Sequence, residues 1–169
     1  MDPVFVGIVE KSTEKGCEMV KDYVKDMRSL IGTRPFIIAG STILLQNPEG
    51  KILFQFRSDT KEWGLPGGAM EPGESFFETA ERELHEETGL VALKYLHLGT
   101  LSGKDLYFQY PNGDEVYNII GVFLASNIDG TLKINDAESL RLCYFSYEDL
   151  PEKVDERARL ILETYRSSL

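Results

Sequence analysis

The chain has 169 residues, with 18 Lys+Arg against 28 Asp+Glu, a formal net charge of −10 at pH 7, 42% hydrophobic and 27% charged residues. This is the makeup of one globular domain able to bury a core, and it excludes a disordered chain or a coiled coil. The negative balance, with no basic stripe, argues against nucleic acid or anionic lipid as partners, and an anionic small-molecule ligand would need a local cation to reverse the sign.

Near the start, Val4 to Val9 is apolar but follows Asp2 and is too short for the core of a signal peptide. From Glu14 to Ile31 apolar residues recur every three or four positions, which predicts a helix ended by Gly32. It precedes the sheet signals and would pack on the domain edge or on a second subunit, so a homodimer is one expectation. The boundaries expected are a helical extension over 1–33 and the main domain over 34–169.

Arg34-Pro35 opens an extended run, because a residue before proline is biased away from the helical region. Phe36 to Gln46 reads as a buried strand, Asn47-Pro48-Glu49-Gly50 as a turn, and Lys51 to Arg57 as a second strand pairing with the first as a hairpin. The apolar run Phe36 to Leu45 is about half the length of a bilayer span. Without such a span a cytoplasmic protein is expected. Cys17 and Cys143, with no CxxC and no His nearby, read as two reduced thiols rather than a disulfide or zinc site.

Trp63 to Gly68 is Gly- and Pro-rich, and Glu74 to Thr88 reads as a helix closed by Gly89. Strands follow at Val91 to Leu101, Val116 to Ala125 and Leu140 to Tyr147, the first two separated by Pro111-Asn112-Gly113-Asp114, and a last helix runs from about Asp155 to Ser167.

The chemistry concentrates on Glu74 to Thr88. Three of its glutamates, Glu83, Glu86 and Glu87, project from one face, since at 3.6 residues per turn Glu86 falls about 60° to one side of Glu83 and Glu87 about 40° to the other. Converging carboxylates repel unless a cation sits among them, and an all-oxygen set suits Mg²⁺ or Mn²⁺ rather than zinc. Phe77, Ala80 and Leu84 form the expected core stripe opposite. Arg82, with Glu78 and Glu86 four residues to either side, is placed to orient a ligand carboxylate.

Gly68, five residues, Glu74, seven residues and then Arg82-Glu83-Leu84-His85-Glu86-Glu87-Thr88-Gly89-Leu90 match every defined position of the Nudix hydrolase motif. The chain therefore resembles that MutT-like family, with Trp63 to Gly68 similar to its lead-in and Leu53 to Arg57 to its second strand. The resemblance implies an α/β fold, a Nudix-type α/β/α sandwich with a mixed sheet, here with an added N-terminal helix. It implies a Mg²⁺- or Mn²⁺-dependent hydrolase that cleaves the diphosphate linkage of a nucleoside diphosphate joined to another group.

Carried onto this chain, Glu83, Glu86 and Glu87 with the Gly67 carbonyl would hold metal, and Glu74 would support the loop and Arg82. The general base would be Glu83 or, in the loop Asn135 to Glu138, Glu138. Arg57 and Gly68 would meet phosphate, and Tyr107, 18 residues past Gly89, resembles in position a tyrosine of dinucleoside polyphosphate hydrolases. No proline lies between Leu90 and Tyr110, unlike the pattern of the ADP-ribose group. Substrates still open are dinucleoside polyphosphates, ADP-ribose and nucleotide sugars. A non-catalytic binding module would be expected to have lost a glutamate, and a prenyl diphosphate isomerase would need a cysteine beside its metal.

Overall fold

The structure, a computed structural model, describes residues 22–169. The first part of the expected helix (14–21), Val4 to Val9 and Cys17 lie outside the described residues. The remaining turns form α1 (Tyr23–Ile31), whose N-cap Asp22 accepts a hydrogen bond from the Lys25 N–H and which ends at Gly32. Then follow β1 (Phe36–Leu45), β2 (Ile52–Arg57), β3 (Trp63–Gly64), β4 (Gly67–Ala69), α2 (Phe76–Thr88), β5 (Leu90–Leu101), β6 (Tyr107–Gln109), β7 (Glu115–Gly130), β8 (Ser139–Phe145) and α3 (Glu156–Thr164).

A five-stranded mixed sheet runs β4-β1-β7-β5, with β6 added along β7, and a three-stranded sheet runs β3-β2-β8. β1 and β7 are parallel over ten residue pairs, and the other pairings are antiparallel. The expected hairpin between the first two strands does not form. A single bridge, Gln46 to Ile52, joins them, and β2 instead pairs with β8. Both edges of β1 are already taken by β4 and β7, so β2 is turned into the second sheet.

Alternation along β1 divides the interior in two. Ile43 and Leu45 join Ala80 and Leu84 of α2 on one side, while Leu44 joins Ala158, Ile161 and Leu162 of α3 on the other. The sheet thus lies between two helices, which is the α/β/α sandwich anticipated. Among the described residues no helix is long and apolar enough to cross a membrane.

α2 is well specified at both ends. Ser75 and Glu78 form a capping box, and Gly89 closes the helix in the left-handed conformation. One expected core residue is displaced: Phe77 is 43% exposed, its ring edge-on to Tyr95. Phe76 takes the inward place, directly above Gly121, where any Cβ would run into its ring. The stripe facing the sheet is therefore Phe76, Ala80 and Leu84, spaced by four, and Phe77 falls on its flank.

Leu84 is fully buried in this interface. Leu84→Ala should lower unfolding free energy by about 2–5 kcal/mol through lost burial and the cavity left behind. Urea titration would show this as a lower midpoint at unchanged slope.

Candidate active site

The turn between β3 and α2 brings backbone and carboxylates together. Gly67, at φ +146°, is in a conformation few side chains allow, and a Cβ there would strike Ser41 of β1; one on Gly68 would strike the Glu83 carboxylate. These two glycines let the loop lie against both the sheet and α2. The Gly67 N–H donates to Glu87 Oε2 at 2.8 Å.

Glu87 is only 5% exposed. Its other oxygen, Oε1, accepts from Gln55 Nε2 of β2 at 2.8 Å. Burial, and after it the neighbouring Glu83, push its carboxyl well above the usual range; the two hydrogen bonds work in the opposite direction. Gln55 is itself fixed, since Ser139 Oγ donates to Gln55 Oε1 at 2.7 Å and the Ser139 N–H donates to Asp136 Oδ1 at 2.8 Å. A buried polar chain thus links α2, β2 and the loop before β8.

Arg82 gathers the other acids. Its Nε and Nη2 grip the two oxygens of Glu74 at 2.6 and 2.9 Å, Nη2 also reaches the Ala69 carbonyl, and Nη1 donates to Glu83 Oε1 at 2.7 Å and Glu86 Oε2 at 3.1 Å. Glu78, expected beside Arg82, is instead taken by the capping box with Ser75. Glu83 is largely buried and Glu86 largely exposed, and burial raises the Glu83 carboxyl despite the Arg82 charge beside it. Among the described residues no three His, Cys, Asp or Glu side chains are gathered into a ready-made cage. The donor set still fits a hard divalent cation: the carboxylates are all-oxygen, and the charge of buried Glu83 and Glu87 is costly without one.

A cleft of about 1220 Å³ opens over these residues, and Arg57, Gly67, Gly68, Arg82, Glu83, Glu86, Glu87 and Glu138 all line it. Glu138 is 74% exposed at its side chain, and its Oε2 lies 3.9 Å from Arg57 Nη2. Arg57 is otherwise held by both oxygens of Asp59. Glu74 stands behind Arg82, outside the lining. Tyr107 is not brought to this cleft; its hydroxyl donates to Glu115 at 2.7 Å, and Tyr110 lines the cleft instead. Gln55, Ser139 and Asp136 went unrecognised in the sequence, although a glutamine between Phe54 and Phe56, in a strand otherwise apolar up to Arg57, is a signal of a buried polar contact. Arg157 of α3, lining the far end and lying 4.1 Å from the centroid of the Phe108 ring, carried no such signal.

Residues 38–165 match the NUDIX domain family. A Bacillus subtilis protein provisionally named an 8-oxo-dGTP diphosphatase is 33% identical over 66% of this chain and 68% of its own length. The Escherichia coli K12 Nudix hydrolase YfcD is 26% identical over 68% of this chain, and this chain spans 62% of that protein's length. Among solved structures, the MutT NUDIX hydrolase of Burkholderia pseudomallei aligns at a TM-score of 0.64 with 25% identity, over 76% of this chain and 97% of its own. The NUDIX domain of Shewanella oneidensis NrtR, solved with ADP-ribose, aligns at 0.61 with 18% identity, over 88% of this chain and 99% of its own, a likeness of fold.

Arg82 first, aided by the Glu71 N–H and the Thr79 hydroxyl, draws the Glu74 carboxyl down to about 2. A depressed folded-state value stabilises the fold above the unfolded value and loses that contribution as pH falls through the folded one. Glu74→Gln should therefore cost on the order of 2 kcal/mol at pH 7. Thermal melts of the two proteins should converge as pH drops from about 5 toward 2.

Proposed function

The chain belongs to the Nudix hydrolase family, and on that premise we propose that it is a Mg²⁺- or Mn²⁺-dependent pyrophosphohydrolase acting on a nucleoside diphosphate joined to a second group. The observation that carries this reading is the meeting of Glu83, Glu86, Glu87 and the Gly67-Gly68 turn in one cleft beside Arg57. Nudix hydrolases use divalent metal ions, and here Glu83, Glu86 and Glu87, with the Gly67 carbonyl, would hold one. Bound there, it would neutralise charge on nonbridging phosphoryl oxygens.

The protein's own groups supply the rest. Arg82 keeps Glu83 and Glu86 oriented, and Glu74 keeps Arg82 in place. Gln55 and the Gly67 N–H hold both oxygens of Glu87, which fixes the carboxylate plane. Arg57 is placed to steady the diphosphate at the cleft wall, and Gly68 lets the backbone approach it. Proton acceptance from water falls to Glu138 or to Glu83. Glu138 is supported by its exposed carboxylate, which no guanidinium holds at hydrogen-bond distance, whereas Arg82 occupies Glu83. The division into a helical extension over 1–33 and a catalytic part over 34–169 is kept as part of this reading, and the free, exposed Cys143 suits a cytoplasmic location.

Purified protein with Mg²⁺ or Mn²⁺, assayed against ADP-ribose, dinucleoside polyphosphates, nucleoside triphosphates and nucleotide sugars, should release a nucleoside mono- or diphosphate from at least one. Glu83→Gln should lower turnover by a factor of about 10³ or more while melting in EDTA stays level or rises, because a buried charge is removed. Parallel loss of fold and turnover would assign the glutamates a structural role and remove the catalytic reading. Glu138→Gln, compared under the same conditions, should lower kcat at least about 10-fold with KM little changed if Glu138 is the base.

A further inference from the structure

The cleft continues past the Nudix motif, and its outer wall is α1. Asp22, Val24, Lys25 and Arg28 line the same cavity as the motif glutamates. The family model matches residues 38–165, so this wall lies outside the matched segment. α1 buries none of its residues, and Leu30 is 80% exposed. A nine-residue helix without an apolar anchor is marginal by itself.

Polar ties hold it instead. Arg28 Nη1 donates to the carbonyls of Gly32 and Arg34 at 3.0 and 2.7 Å, and Nη2 to the Glu115 carbonyl at 2.7 Å. Its Nε lies 3.6 Å from Asp114 Oδ1, and the guanidinium carbon lies 4.4 Å from the centroid of the Phe36 ring. At the other end, the Tyr23 N–H reaches both Glu71 carboxylate oxygens at 3.3 Å. α1 is thereby strung from the β4–α2 loop to the start of β7.

Charge around the cleft singles out one side chain. Ten acidic residues line it against five basic ones. Arg28, Arg57, Arg82 and Arg157 each pair with a carboxylate at 3.6 Å or closer. Lys25 pairs with none among the described residues. A flexible ammonium without a carboxylate partner, on the wall of a cleft meant for an anion, is a ready phosphate contact.

We propose that α1 selects the substrate of this cleft: Lys25 contacts an anionic group of the bound nucleotide, and Arg28 is the positioning residue that holds α1 where Lys25 can reach it. This rests on the cleft being a nucleoside diphosphate site, and the two ideas can fail separately.

The probe is ADP with Mg²⁺, followed by calorimetry, alongside KM and kcat on whichever substrate of the panel is cleaved. Lys25→Ala should weaken ADP binding and raise KM about 5- to 10-fold, with kcat within about 2-fold, the pattern of a lost binding contact. Lys25→Arg should restore most of the loss. Arg28→Ala should raise KM comparably and expose the segment 22–35 to protease, and adding Lys25→Ala to it should cost under about 2-fold more. Unchanged ADP affinity in both single variants, full additivity of the pair, or no ADP binding by the unaltered chain would overturn the proposal. Retained turnover in Glu83→Gln would sink the catalytic reading alone, since the dependence of ADP affinity on Lys25 is measured without turnover.

Discussion

Burying the Glu87 carboxylate is the constraint around which the rest of the site is arranged. A charge in the interior is tolerated only where donors replace the water it has lost. Here one donor is the backbone of the Gly67 turn and the other the amide of Gln55. The first requires a glycine at φ +146°, because any Cβ would collide with β1. The second requires a glutamine between two inward phenylalanines of β2, and Gln55 needs Ser139 to satisfy its own oxygen. One acid on α2 thus dictates residue choice on a turn, on the second sheet and on the loop that carries Glu138.

Arg82 does the complementary work at the surface of the same helix. One guanidinium meets Glu74, Glu83, Glu86 and the Ala69 carbonyl, so like-charged neighbours on adjacent turns share one cation. That arrangement also locks the loop leading into α2, since Glu74 caps the Glu71 N–H and the Thr79 hydroxyl with the oxygen facing Arg82. Glu74 and Arg82 therefore belong to the scaffold of the site, while Glu83, Glu86 and Glu87 carry the charge that faces the cleft. Such a division lets the motif hold its shape while the cleft-facing oxygens remain open to a ligand.

The motif helix was legible in the sequence because its signals are local, and the sandwich was legible through the family resemblance that the motif carries. The terminating glycine and the acid spacing lie between Glu74 and Gly89, while the cap at Ser75, which starts the helix at Phe76 and not at Glu74, went unread. What was not legible depends on partners distant in the chain. The first two strands read as a hairpin because a tight turn joins them, yet pairing is decided by β7 and β8, some 80 residues downstream. Ser139 meets Gln55 across 84 positions, a contact with no periodicity to betray it. Tyr107 was placed by counting from the motif, and β6 turns it toward Glu115 and away from the cleft. Phe77 and Phe76 are equivalent to a pattern of three and four, and only the bare backbone at Gly121 decides which ring enters.

The cleft's surplus of acid over base bears on what it can bind. Its four arginines are all committed to carboxylates of the protein itself, so they present oriented hydrogen-bond donors more than free positive charge. An anionic substrate would then gain little from the wall at large and would depend on a few points: a cation at the glutamates, and a lysine on the helix strung across the mouth. Contacts so unevenly distributed separate chemistry from selection. On the proposed reading the glutamate end would meet the diphosphate, whereas the α1 end, built from residues before the segment that the family model matches, would meet the part of the molecule that differs between substrates. Divergence of specificity would then require changes in how a short helix is tethered by polar contacts, with the buried charge at Glu87 and its supports left untouched.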